Sequence, residues 1–447
     1  MTVPLRWPAK SLLVADALSI VAGFVVFRAL CSNWPAPVFA RWEWLRVVLG
    51  LCLLLPRNGL DVVALRCAVR HPGHVREWTA ISLICRFPLA LVAICGFLSI
   101  ARISTETSPS ITMLLAMGLP LQAVVPDLSA RVQGRYALAG VLQMARNVVP
   151  AVAVVGLPVS IRSPENLAAV LLVTESAISA IWWLDAAIHG GLPGGRWIVV
   201  LRRGGWAVFS RSMDLTLSRW LRVISWNVDA FLLGMLAPGL WARIAPARSL
   251  MMSAVFPLAS YLGALSPLLA RESPAIVRSR FFFASKAAMA AGFMSLVGSI
   301  AFAPWITVTL FGPHSLVDRT TLILTSARLT PVLILLCATN FWTSLRRDRL
   351  ARMVPAAQVC LCICLILGGC SLGRPVIGYF GFIAVEWALG AACVYGFASA
   401  EFTRQACGIS WLLGVSSLRS ARFRNAITGL ARGRKLASGS RGAHADA

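Results

Sequence analysis

Arg28, Arg86, Arg146, Arg248 and Arg328 lie deep inside apolar runs of this chain, and Arg46 lies nearer the end of one. Asp16, Asp127, Glu175, Asp229 and Glu386 share that setting. An ionisable group at bilayer depth costs roughly 2.5–3.5 kcal/mol on insertion scales, so each should face a wet cavity or an opposite charge. Two chemistries follow. Guanidinium forks hold phosphate oxygens bidentately, so Arg86 and Arg146 from one half of the chain and Arg248 and Arg328 from the other would line a cavity for an anionic head group. Alternatively, the same arginines pair with the acids and pin helices together, or snorkel to a head-group layer. The acids carry the same ambiguity. Asp127, Glu175, Asp229 and Glu386 can serve ion coupling or helix pairing, with Glu175 and Glu386 falling in mid-span. No Lys joins the arginines inside the spans, because the chain has only Lys10, Lys286 and Lys435.

These residues need a scaffold that spans a membrane. Of 447 residues, 58% are hydrophobic and only 13% charged, and the mean hydropathy is +0.76. That is outside the range of a soluble globular protein. At roughly 20 apolar residues per helical span, the sequence predicts twelve transmembrane helices near 11–31, 44–64, 78–101, 109–130, 135–159, 165–186, 220–237, 244–270, 285–311, 320–344, 355–372 and 376–400. The second and seventh are the least regular, since Pro56-Arg57-Asn58-Gly59 interrupts one and Asn227 and Asp229 sit inside the other.

Charge orients the bundle. Lys and Arg near span ends stay on the cytoplasmic side during insertion. With the N-terminus inside, the outward loops carry one basic residue each, Arg41, Arg102, Arg162, Arg243, Arg319 and Arg374. The inward loops carry clusters such as Arg66, Arg70 and Arg76, or Arg346, Arg347, Arg349 and Arg352. The expectation is a multi-pass bacterial inner-membrane protein with both termini cytoplasmic. The bias accounts for most of the net charge of +25 without invoking a nucleic-acid partner. The first span is expected to be its own insertion signal rather than a cleaved leader.

The expected fold class is all-α and polytopic, with two six-helix bundles around a central cavity. Residues 1–186 form the first bundle, 187–219 a cytoplasmic linker, 220–402 the second bundle and 403–447 a basic, disordered cytoplasmic tail. The stretch from Arg196 to Arg222 mixes Trp197, Trp206 and Phe209 with arginines, which suits an interfacial helix at an anionic leaflet as well as an ordinary basic linker.

The segment from Trp226 to Arg271 resembles the seventh and eighth spans of polysaccharide flippases in the multidrug/oligosaccharidyl-lipid/polysaccharide exporter superfamily. Asp229 stands before Leu232-Leu233-Gly234, and Pro257 and Arg271 fit the helix that follows, while Ala242 to Ala247 replaces that family's Gly-Tyr element. Phe311-Gly312-Pro313 after the ninth span and Val376 to Glu386 at the start of a late one are further points of likeness. The resemblance implies two bundles that open alternately to either face. It also implies a polyprenyl-diphosphate-linked oligosaccharide as cargo, moved to the outer leaflet for exopolysaccharide, capsule or O-antigen synthesis. Partners would then be the lipid-linked anionic glycan, membrane lipids and polysaccharide polymerase or export machinery.

Other readings stay open. A multidrug exporter of the same superfamily would want acids in its cavity for cationic drugs. A non-transporting subunit of a polysaccharide-synthesis complex and a membrane glycan polymerase share this hydropathy. Enzyme chemistry is not expected, nor is any cofactor or metal. The outward loops are short, and His71, His74, His189, His314 and His444 lie outside the spans without metal-ligand spacing or an acid–base dyad. The twelve cysteines read as small packing residues.

Overall fold

Prolines and polar caps set the helix starts in the computed structural model of this chain. It describes residues 6–56, 72–103, 108–133, 135–156, 162–194, 220–269, 274–312, 315–345 and 347–398, with a few isolated positions between them. Among these residues there is no strand. The helices are α1 (Arg6–Asn33), α2 (Ala36–Cys52), α3 (Val75–Ile103), α4 (Pro109–Ala123), α5 (Leu128–Val132), α6 (Tyr136–Gly156) and α7 (Pro164–Ile188). They continue with α8 (220–236), α9 (Pro238–Leu269), α10 (Pro274–Ile306), α11 (Arg319–Ser344), α12 (Asp348–Ser371) and α13 (Pro375–Ala398).

Helices α4, α7, α9, α10 and α13 each begin on a proline, where the missing N–H costs nothing and φ is already set. The Ser163 hydroxyl accepts from Asn166 N at 3.2 Å to cap α7, and the Asp318 carboxylate accepts from Thr321 N at 2.6 Å to cap α11. Among the described residues seven helices are long and apolar enough to cross a membrane. The chain is an all-α, multi-pass membrane protein.

Several boundaries depart from the sequence reading, the largest shift of a start being that of α10, at Pro274 rather than 285. The second helix begins at Ala36, eight residues before the expected 44, because Pro35 and Pro37 favour a helix start there. The expected fourth span is broken: α4 ends at Ala123, and the single turn α5 resumes at Leu128. Pro120 lies in the last turn of α4 and Pro126 within the break, and each lacks the N–H that continuous helix needs. The interfacial stretch from Arg196 to Arg222 lies largely outside the described residues, as do Arg271, the Asp16 side chain and the basic tail.

In the N-terminal half α1 packs on α6, α4 on α7 and α3, and α2 on α3. In the C-terminal half α11 is central, packed by α9, α10, α12 and α13, and almost all its side chains from Leu329 to Phe341 are buried. Small residues allow the closest crossings. A Cβ added at Gly378 of α13 would lie 2.5 Å from the Leu365 carbonyl of α12, and one at Gly369 would lie 2.8 Å from Gly378 Cα. Between the halves, α1 and α2 pack on α9, and one continuous buried cluster runs from Phe27 and Trp44 through Leu233 and Trp241 to Phe382.

Candidate functional site: arginine–carboxylate pairs at membrane depth

Arg86 sits on α3 and is almost fully buried, at 4% exposure. Its Nη1 donates to the carbonyls of Ala123 at 3.3 Å and Val125 at 3.2 Å and lies 3.6 Å from Asp127 Oδ1. The proline-broken end of α4 leaves carbonyls without helical partners, and Arg86 supplies donors there. Asp127, in the turn that follows, brings the balancing charge.

Arg146 of α6 meets Glu175 of α7 side by side. Its Nε is 2.6 Å from Oε1, and Nη2 donates to Oε2 at 2.8 Å. The Glu175 side chain is 6% exposed and the Arg146 side chain 25%.

The C-terminal half holds a larger network. Arg328 of α11 donates through Nε to Glu386 Oε2 at 2.6 Å and through Nη2 to Oε1 at 3.0 Å. Its remaining nitrogen, Nη1, donates to Asp229 Oδ2 on α8. Arg248 of α9 reaches the same Asp229, with Nε 3.1 Å from Oδ2, and its Nη2 also donates to the Trp226 carbonyl at 2.5 Å and to Asn227 Oδ1 at 3.3 Å. Gln358 of α12 donates to Glu386 Oε1 at 2.7 Å. The Arg328 guanidinium lies over the rings of Phe382 at 4.9 Å and Tyr379 at 6.0 Å, and Arg248 over Trp241 at 5.8 Å. Two guanidiniums and two carboxylates cancel in charge. At 0–5% side-chain exposure, desolvation is large, and only this density of charge-assisted bonds offsets it.

Each of the four arginines singled out from sequence therefore touches one of the four acids. Asp229 joins Arg248 to Arg328; Arg86 and Arg146 are paired within the N-terminal half. Sequence reasoning passed over Gln358, Tyr379 and Phe382, which look like ordinary members of apolar helices, and marked Asn227 only as an irregularity of the seventh span. It also passed over Glu43 of α2, whose Oε1 accepts from Arg46 at 2.9 Å and whose Oε2 accepts from Ser249 of α9 at 2.9 Å. The three-residue spacing of Glu43 and Arg46 was a readable signal for that pair; the bond to Ser249, across the two halves, was not.

In Arg46–Glu43 and Arg146–Glu175 the arginine is the more exposed partner, whereas in Arg86–Asp127 the acid is, at 12% against 5%. Arg46 is 55% exposed beside Glu43 at 12%, and Arg28 is exposed on α1. Of the histidines, His74 stands 3.5 Å from Glu77, and His189 lies between Asp185 and Arg135 at the end of α7. No cluster of three or more metal-ligating side chains occurs among the described residues.

The chain matches no protein-family profile and no curated protein. Its fold, however, is similar to solved transporters. The inward-facing form of a multidrug resistance MATE family transporter of the MOP superfamily aligns over 88% of this chain and 99% of its own, with a TM-score of 0.62 and 14% identity. A MATE in the bent conformation aligns over 90% and 97%, at TM-score 0.56 and 13% identity. An outward-facing multidrug resistance MATE family transporter aligns over 88% and 97%, at TM-score 0.54 and 14% identity. The fold is thus the twelve-helix, two-bundle architecture of those transporters.

Proposed function

We propose that this chain is a membrane transporter working by alternating access, and that its cargo is an anionic, lipid-linked glycan rather than a cationic drug. The observation that carries the cargo reading is the sign of what remains accessible. Arg28, Arg46 and Arg146 keep exposed side-chain surface. Their acidic neighbours Glu43 and Glu175 are mostly covered, and Asp229 and Glu386 are sealed. A polyprenyl diphosphate offers oxygens that such groups bind; a lipophilic cation would be repelled.

The moving bodies in this reading are residues 1–186 and 220–402, joined by 187–219, in a bacterial inner membrane with both termini cytoplasmic. Catalysis plays no part in it. Arg86, Arg146, Arg248 and Arg328 exchange their carboxylates for substrate phosphates as the cavity opens, and Asp127, Glu175, Asp229 and Glu386 hold them between cycles.

The similarity to multidrug resistance transporters supports a second reading, export of cationic drugs. Proteoliposomes decide between the two. Scrambling of a fluorescent polyprenyl-diphosphate oligosaccharide without ethidium transport is the expected result. Ethidium transport without glycan flipping overturns the cargo assignment, and neither activity overturns the transporter reading.

A further inference from the structure

The last turns of α10 leave the regular helix twice. Phe302 has φ −114° and ψ 16°, two residues before Pro304, whose ring cannot follow a helical carbonyl without a kink. Residues Thr307–Phe311 then form a π-helical turn, with the Thr307 hydroxyl donating to the Ala303 carbonyl at 2.7 Å. Such widened turns re-aim side chains and recur at functional positions. Most of α10 points large side chains outward, among them Phe283, Phe293 and Met294. Within the π turn Val308 still faces outward at 72% exposure, whereas Phe311 at its end is turned inward and is 0% exposed.

Its surroundings belong to the other half of the chain. The Phe311 ring meets Phe27 of α1 edge to face at 5.9 Å and 84°. Phe27 in turn meets Phe39 of α2 at 5.8 Å and 80°. Gly312 follows with φ +75°, and a Cβ there would lie 2.9 Å from Ser32 Cα at the end of α1. Only glycine lets the backbone press so close in that conformation. A knob from the C-terminal half is thus seated in an aromatic socket of the N-terminal half, at the end of the bundle where α1 and α10 finish.

We propose that Phe311 and Gly312 are a latch that closes this end of the path between the halves, with the kinked, π-helical end of α10 as its hinge. Opening withdraws the ring from Phe27 and separates Gly312 from Ser32. One edge-to-face contact between the halves and one glycine contact hold it, enough to bias the closed state without making it permanent. The latch rests on the alternating-access reading, but its test needs no substrate.

Cys31 is the reporter. It lies one turn after Phe27 on the same face of α1 and is 4% exposed. In a full-length variant keeping Cys31 as the only one of twelve cysteines, modification by a water-soluble maleimide in proteoliposomes measures opening. Phe311→Ala should speed modification by roughly tenfold or more, as a shifted opening equilibrium does. Phe293→Ala, at an exposed position of the same helix, should leave the rate unchanged. Equal protection in the parent and Phe311→Ala overturns the latch, as does equal unmasking by Phe293→Ala. Where Phe311→Ala does not accumulate, Phe311→Leu takes its place; an accumulating, fully protected Phe311→Leu overturns the proposal. So does failure of both to accumulate while Phe293→Ala does, because a latch is dispensable for folding. A latch that behaves as stated in a protein that flips no glycan refutes the cargo alone.

Discussion

Arg328 holds Glu386 with two bonds of 2.6 and 3.0 Å and spends its third nitrogen on Asp229, so one fully buried guanidinium ties together α8, α11 and α13. Because Arg248 donates to the same Asp229 oxygen and Gln358 to Glu386, the C-terminal half is closed by a neutral, densely bonded network.

Removing Arg328 alone breaks that neutrality. Arg328→Gln should cost about 3–5 kcal/mol, as breaking a buried ion pair does, and should appear as loss of monodisperse protein and a lower Tm in detergent. Arg328→Gln with Glu386→Gln leaves the Asp229–Arg248 pair balanced, so the double variant should recover much of the loss. A double variant as unstable as the single one would show that the bonds to Glu386 are not what Arg328 contributes.

Arg146 and Glu175 should behave differently, since the arginine side chain is 25% exposed and the glutamate side chain 6%. Arg146→Gln leaves a nearly buried carboxylate unpaired, whereas Glu175→Gln leaves a partly exposed arginine. The first should therefore lower membrane abundance more than the second, while both impair glycan flipping. Arg146→Lys keeps the charge and loses the fork, so abundance should be retained and flipping reduced. Equal abundance across all three variants would contradict this order.

At Gly378 there is no room for a methyl group, because its Cβ would sit 2.5 Å from the Leu365 carbonyl and 3.2 Å from Ile366 Cα. Gly378→Ala must push α13 off α12, and overpacking of this kind costs about 1–3 kcal/mol. Gly298→Ala, where nothing lies within 4 Å, should not lower Tm and serves as its control.

Asp318 gives a pH dependence. Burial raises its carboxyl, but the bonds from Thr321 outweigh that and hold it below the ordinary value of 3.8. The cap therefore stabilises α11 fully above pH 3.8 and loses its effect as pH falls through the lower folded value. Asp318→Ala should cost about 1 kcal/mol at neutral pH, and the difference in Tm from the parent should shrink as the pH is taken below that range. A difference that grows on acidification would contradict the assignment.

Several of these features were readable before any fold was known. Hydropathy is a local, additive property, and a helix rises about 1.5 Å per residue, so the run lengths by themselves determined an all-α, multi-pass chain. Insertion cost likewise marked Arg86, Arg146, Arg248, Arg328 and their acidic counterparts as residues needing a partner. Which acid answers which arginine is a different kind of fact. Glu386 is 58 residues from Arg328, and Asp229 is 99; their approach depends on how α8, α11 and α13 cross, which no local pattern encodes. The same holds for Trp44, whose indole N–H donates to the Phe231 carbonyl 187 residues away at 3.1 Å, and for Phe311, marked in the sequence only by its Phe-Gly likeness, whose contact with Phe27 of the opposite half depends on the kinked end of α10. Local chemistry decided what crosses the membrane; the packing of helices distant in sequence decided which charges are neutralised and which remain exposed.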